Sequence, residues 1–181
     1  MSKREAAISI IVNNKPDVLA RIAGTFSGRG FNIESISANI TRDPAITKII
    51  ITTIGTQDTI TKIEKQICRL VDVLNARDIS VDEAFQREML LIRMKPPTAD
   101  GRNALYKAVI TNGWKIIGQD DPLLFLEVTG EREDIDRALA LLEPLGLEDF
   151  SRTGTVVIER RGAENRSETS GIHAVDKNSA A

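Results

Sequence analysis

Ala7-Ile8-Ser9-Ile10-Ile11-Val12-Asn13-Asn14-Lys15-Pro16-Asp17-Val18-Leu19-Ala20-Arg21-Ile22-Ala23-Gly24-Thr25-Phe26 reads as a strand joined to a helix by a tight polar turn. Residues 7–12 alternate, with Ile8, Ile10 and Val12 on one face and Ala7, Ser9 and Ile11 on the other. In the turn, Asn14 is placed to cap a helix, Pro16 suits its first turn, and Asp17 follows the cap by three residues like a capping-box acid. Val18, Leu19, Ile22, Ala23 and Phe26 then share one face of a 3.6-residue period. Gly28 and Gly30 end the helix.

Working outward, Phe31 to Ile40 is predicted to be a second strand, with imperfect alternation that allows a bulge. Arg42-Asp43-Pro44 turns the chain. Thr47 to Ile54 is β-branched at every position except Lys48, which predicts a third strand ended by Gly55. A helix is expected over residues 57–74, burying Ile60, Ile63, Ile67, Leu70, Val71 and Leu74, and a fourth strand over residues 75–79. The order is βαββαβ.

The remainder repeats it: strand 88–95, helix 101–112 with Leu105, Ala108 and Val109 inward, a hairpin of Trp114–Gly118 and Leu123–Thr129, helix 134–145, and a final strand or strands in 149–160. A shift of 75 residues carries Gly55 onto Gly130, Ile60 onto Ile135, Ile67 onto Leu142 and Leu70 onto Leu145. Gly30-Phe31 corresponds to Gly113-Trp114 with a slightly larger shift. Right-handed crossovers on this order give a four-stranded antiparallel sheet with both helices on one face. The expected class is therefore α+β, with two ferredoxin-like βαββαβ units at residues 7–80 and 86–162, joined by the polar stretch Ser80 to Gln86. Residues 163–181, rich in Ser, Asn, Ala and Gly, read as a disordered tail. Open sheet edges and helix-free sheet faces predict a dimer or larger assembly.

Composition narrows the function. The 181 residues carry 24 Lys and Arg against 26 Asp and Glu, a net charge of −2, which offers no bulk attraction for nucleic acid or an anionic membrane. No apolar run is long enough to span a bilayer and no signal peptide is visible, so the default compartment is the cytoplasm. One Cys excludes an internal disulfide and a Cys-cluster metal site, and one His, His173 in the tail, excludes most His-based metal sites. Cys68 lies among Ile63, Ile67, Leu70 and Val71 and is expected to be a small buried hydrophobe. No nucleophile elbow, phosphate loop or zinc-protease motif is present. An RNA-binding reading needs aromatics on the central strands, where Ile8, Ile10, Val12, Ile49, Ile50 and Ile51 stand instead. A metal-chaperone reading needs paired thiols where Asn13-Asn14 stands. What remains is a small-molecule sensor. The first helix N-terminus suits a carboxylate, and Asn14 or Asn32 suits the polar atoms of an α-amino acid, although Asn and Asp at a helix start are usually just caps.

Residues 14–22, then Phe26-Ser27-Gly28-Arg29-Gly30-Phe31-Asn32-Ile33-Glu34-Ser35, resemble the ACT domain of acetolactate synthase (acetohydroxyacid synthase) small regulatory subunits. Ile63-Glu64-Lys65-Gln66-Ile67, Leu70-Val71-Asp72-Val73, Gln86-Arg87-Glu88-Met89-Leu90-Leu91-Ile92 and Ser151-Arg152-Thr153-Gly154 continue the resemblance over residues 7–162. It implies a chain without catalysis of its own that binds a catalytic large subunit carrying thiamine diphosphate, Mg²⁺ and FAD. That subunit joins two pyruvates, or pyruvate and 2-oxobutyrate, with loss of CO₂, early in valine, leucine and isoleucine biosynthesis. The resemblance also implies activation of the large subunit, feedback inhibition by valine or another branched-chain amino acid, and homodimers paired edge to edge. The effector then lies between the first helix of one copy and the second strand of the other, at positions carried over to Asn14, Asp17, Val18, Asn32 and Ile33.

Asp17 departs from the family, which usually has Gly there. A ligand carboxylate about 4 Å from the Asp17 charge is repelled by roughly 1 to 4 kcal/mol. The Asp17 carboxylate is also able to cap the helix itself, or to meet a ligand's ammonium in an altered pose. Weak or absent valine inhibition with activation retained is the expectation. Thr98-Ala99-Asp100-Gly101 in the second unit looks like an ordinary cap, so that unit is expected to serve dimerisation or partner contact. Arg21, Arg29 and Arg42 are candidates for contact with the large subunit. The alternative is a free-standing double-ACT sensor acting on another enzyme or a transcription factor. A single-chain enzyme is disfavoured by the residue inventory.

Overall fold

The computed structural model describes residues 2–28, 30–79 and 84–160. Elements follow in the order β1 (Arg4–Asn13), α1 (Val18–Ser27), β2 (Ser35–Ile40), β3 (Ile46–Gly55), α2 (Gln57–Ile67) and β4 (Val73–Ile79), then β5 (Ala84–Met94), α3 (Ala99–Asn112), β6 (Lys115–Asp120), β7 (Leu123–Gly130), α4 (Arg132–Leu142), β8 (Leu147–Arg152) and β9 (Val156–Glu159). The two sheets have the same strand order, β2-β3-β1-β4 and β6-β7-β5-β8, and all pairs are antiparallel. Two ferredoxin-like units of an α+β fold are therefore present.

Aliphatic side chains build each core. Ile8, Ile10 and Val12 of β1 and Ile49 and Ile51 of β3 meet Val18, Ile22 and Phe26 of α1 and Ile63 and Ile67 of α2. In the second unit Leu90, Ile92 and Met94 of β5 and Leu124, Leu126 and Val128 of β7 meet Leu105 and Val109 of α3 and Ile135, Ala138 and Leu142 of α4. Each fully buried aliphatic contributes about 1.5–3 kcal/mol. The repeat extends to the helix ends. Gly30 and Gly113 have φ of 71° and 67°, and the aromatic after each sends its N–H back to a carbonyl, Phe31 to Phe26 and Trp114 to Val109. Glycine takes this left-handed conformation without the Cβ penalty.

Several local expectations are corrected. Helix α1 begins at Val18 rather than near Pro16, and its N-cap is Asp17, not Asn14. Strand β2 begins at Ser35, and Phe31–Glu34 is irregular. Helix α2 stops at Ile67, because the chain turns there to start β4 at Val73. Val71 and Leu74 are consequently 88% and 55% exposed instead of buried, and Cys68 is exposed. Ala84–Gln86, expected to be part of a polar joint, belongs to β5 and pairs with β9. Residues 80–83, Arg29, the 163–181 segment and His173 lie outside the described residues.

One face of the first sheet departs most from expectation. The helix-free side of β1, β3 and β4 carries Ala7, Ser9, Ile50, Thr52 and Ile79, all at most 5% exposed. This face is not open, because β9 lies across it. Lys48 Nζ donates to the Val157 carbonyl at 3.2 Å, and Arg77 pairs with Glu159. Burial, and then the neighbouring Arg77 charge, lower the Lys48 pKa.

Candidate functional site

The β1–α1 turn is held from two sides. The Asn14 N–H donates to the Ala45 carbonyl at 2.7 Å, and its side-chain Nδ2 to the Pro44 carbonyl at 2.9 Å. The Asn14 amide thus braces the turn against the β2–β3 hairpin rather than capping α1. On the other side the Asn13 N–H donates to the Asp72 carbonyl at 2.9 Å. The Asp72 carboxylate, 6% exposed with its residue, accepts from Lys15 Nζ at 2.9 Å and Arg21 Nη2 at 2.6 Å. Arg21, a candidate for partner contact, is therefore engaged within the chain.

Hydrogen bonds from Lys15, and next from Arg21, hold the Asp72 carboxyl down at about 2, against an ordinary value of 3.8. A folded pKa below the unfolded one stabilises the folded state above the unfolded pKa. That contribution is lost as pH falls from about 4 through 2. Asp72→Asn is expected to lower Tm at pH 7 and to lose its deficit against the parent as pH approaches 2. Thermal unfolding of both proteins from pH 7 to pH 2 checks this, and a deficit constant over that range contradicts it.

Asp17 stands at φ 70°, ψ −16°, the only positive φ at a non-glycine residue among those described. Its carboxylate makes no capping hydrogen bond. The built-in cap considered from the sequence is therefore absent, and the first N–H groups of α1 are left for another acceptor. Val18 is 4% exposed with its side chain in the core, so it offers a ligand only its backbone N–H.

Asn32 and Ile33 lie at the far end of the sheet. Thr53 Oγ1 donates to the Asn32 carbonyl at 2.6 Å, Asn32 Nδ2 donates to Glu34 Oε1 at 2.7 Å, and Ile33 packs half-buried against the core. The turn end of β1 pairs at Ile46. Seven strand positions, roughly 24 Å, separate that point from Thr53. Within one chain the five candidates therefore form two groups. A hollow of about 720 Å³ lies on the second unit beside Trp114 and Lys115, and another of about 670 Å³ lies between the units beside Arg4, Arg87 and Arg132. Neither is lined by Asn14, Asp17 or Asn32.

A second polar cluster escaped the sequence reading. Glu88, 4% exposed, accepts from Arg152 Nε at 2.6 Å and from Thr155 Oγ1 at 2.7 Å, and Arg152 Nη1 donates to Asp136 of α4 at 2.6 Å. Burial alone would lower the Arg152 pKa, but the hydrogen bonds to Glu88 and Asp136 reverse that and raise it. Glu88 and Arg152 both lie in stretches that carried the resemblance, yet they are 64 residues apart. A lone acid ahead of an apolar strand was the available signal. Among the described residues no group of three or more His, Cys, Asp and Glu side chains is placed to hold a metal ion, and no helix is long and apolar enough to cross a membrane.

Residues 8–75 match the family model for acetohydroxyacid synthase small-subunit-like ACT domains, and residues 87–161 match that for the small subunit of acetolactate synthase. The chain is 33% identical over 153 residues to a probable acetolactate synthase small subunit of Methanothermobacter thermautotrophicus, covering 84% of this chain and 91% of that one. It is 32% identical over 157 residues to an Aquifex aeolicus acetolactate synthase small subunit, covering 87% and 82%. The crystal structure of the Thermotoga maritima acetolactate synthase small subunit superposes with a TM-score of 0.79 at 32% identity, covering 88% of this chain and 99% of that one.

Proposed function

Because this chain belongs to the acetolactate synthase small-subunit family, we propose that it is a regulatory subunit that docks on and activates a catalytic large subunit of that enzyme. The observation that carries this reading is the succession, in one chain, of both family segments, at residues 8–75 and 87–161. The chemistry then belongs to the large subunit with its thiamine diphosphate, Mg²⁺ and FAD. This chain contributes binding and control.

The effector site is proposed between two copies. Antiparallel pairing of two β2 strands about a two-fold axis sets the start of one β2 beside the end of the other. The end of β2 leads into the 41–45 hairpin, whose Pro44 and Ala45 carbonyls hold Asn14. Asn32 and Ile33 of one copy then approach Asn14, Asp17 and the Val18 N–H of the other, which a single chain keeps roughly 24 Å apart. The exposed edge of β2, with Ile36 39% and Ile40 61% exposed, supports such pairing. The unoccupied N–H groups of α1 suit an amino-acid carboxylate, and Asp17 opposes it.

Mixing the purified chain with a large subunit and measuring acetolactate production is the test. The expected result is stable association and turnover several-fold above that of the large subunit alone. Unchanged turnover, with no complex in size-exclusion chromatography, would overturn the proposal.

A further inference from the structure

The turn Arg152–Thr155, between β8 and β9, reaches out of the second unit and rests on β2 of the first. Gly154 makes the approach. A Cβ there would stand 2.5 Å from the Ile36 carbonyl oxygen and 2.8 Å from its carbon, so only glycine lets the turn touch this backbone. Beside it the Thr155 N–H points to Ser35 Oγ at 3.5 Å, and Ser35 Oγ shares a 2.7 Å hydrogen bond with Thr52 Oγ1 of β3. The other end of the turn is anchored in the second unit. Thr153 exchanges two hydrogen bonds with Met89 of β5, through its N–H at 3.0 Å and its Oγ1 at 2.9 Å. Thr155 and Arg152 converge on the buried Glu88 carboxylate, and Arg152 continues to Asp136 on α4.

We propose that this turn is a joint coupling strand β2 to the second unit, so that a shift at the start of β2 is felt at β5, β8 and α4, and the reverse. The idea rests on the function proposed above only in giving β2 a regulatory part, through effector binding or pairing of copies. The physical basis is contiguous. β2 is an edge strand that pairs within its sheet only with β3, whereas the Glu88 carboxylate is buried and accepts a hydrogen bond on each of its two oxygens. Coupling between two sites is reciprocal, so loosening either end must loosen the other.

The test is hydrogen exchange on the full chain, without ligand, for the parent, Gly154→Ala and Glu88→Gln. Exchange reports local opening element by element. Glu88 makes no hydrogen bond to β2, so its variant reads transmission rather than contact. In both variants the amides of Ser35–Ile40 and Val156–Glu159 are expected to exchange at least tenfold faster, with those of Ile49–Ile51 and Leu124–Val128 unchanged. Faster exchange in β9 with parent-like exchange in β2 would overturn the proposal, as would parent-like exchange in both. If Gly154→Ala does not fold, Thr155→Val, which keeps the shape and removes the hydroxyl, gives the same readout. A parent chain that activates no large subunit would sink the proposed function while leaving this exchange result to stand or fall alone.

Discussion

Asp17→Gly is expected to turn a holoenzyme that responds weakly or not at all to valine into one inhibited by it. The carboxylate of Asp17 sits at the mouth of α1 and takes no hydrogen bond from the N–H groups there. At the proposed effector site an arriving amino-acid carboxylate would meet a like charge at about 4 Å, worth roughly 1 to 4 kcal/mol between the dielectrics of water and of a protein surface. Removing it raises affinity about five-fold to a thousand-fold. Folding should scarcely change, because two effects oppose each other. Glycine relieves the left-handed backbone at φ 70°, worth about 1 kcal/mol for a residue such as Asp, and gives back a similar amount through its greater freedom when unfolded. Valine titrations of acetolactate production for both proteins, with Tm measured alongside, are the check. Submillimolar inhibition of the natural protein would contradict the electrostatic account, and a tighter response at lower salt in the natural protein would favour the ammonium pose.

Glu88→Ala is expected to cost about 3 kcal/mol of stability. Removing one partner of a buried ion pair leaves the other charge uncompensated, at about 3–5 kcal/mol. The lower end applies because the Arg152 side chain is 24% exposed and keeps Asp136. Thr155, 3% exposed, also loses its acceptor. Denaturant midpoints of Glu88→Ala and of the double variant Glu88→Leu with Arg152→Met separate the contributions. The double variant should recover most of the loss, since apolar replacement of both charges removes the orphan. A single variant within 0.5 kcal/mol of the parent, a threshold typical of surface substitutions, would show the cluster to be effectively solvated.

The elements were legible where side-chain period and burial agree. Ile8, Ile10 and Val12 alternate because one face of β1 meets the helices, and Ile60, Ile63 and Ile67 recur at helical spacing because α2 covers the sheet. The same reasoning failed at Val71 and Leu74, where an apolar residue continued the period but the chain had already turned. It failed at Asn14 for a different reason: a cap and a turn brace are both served by a short amide, and only the position of the Pro44 carbonyl distinguishes them. The candidates carried over from the resemblance could be named one by one and were expected to meet across two copies, whereas the span between their two groups within one chain follows from strand register.

By itself, then, the sequence determined the doubled βαββαβ order, the aliphatic cores and the family, all of which rest on periodicity and short motifs within a few tens of residues. The tertiary structure alone decided that β9 covers the first sheet, that Asp72 clamps the β1–α1 turn, and that Gly154 meets Ile36 from 118 positions away. Such contacts pair single polar or small residues across long stretches of sequence, so they leave no period in the chain, and their partners are chosen only when the elements, and for β9 and Gly154 the two units, have packed.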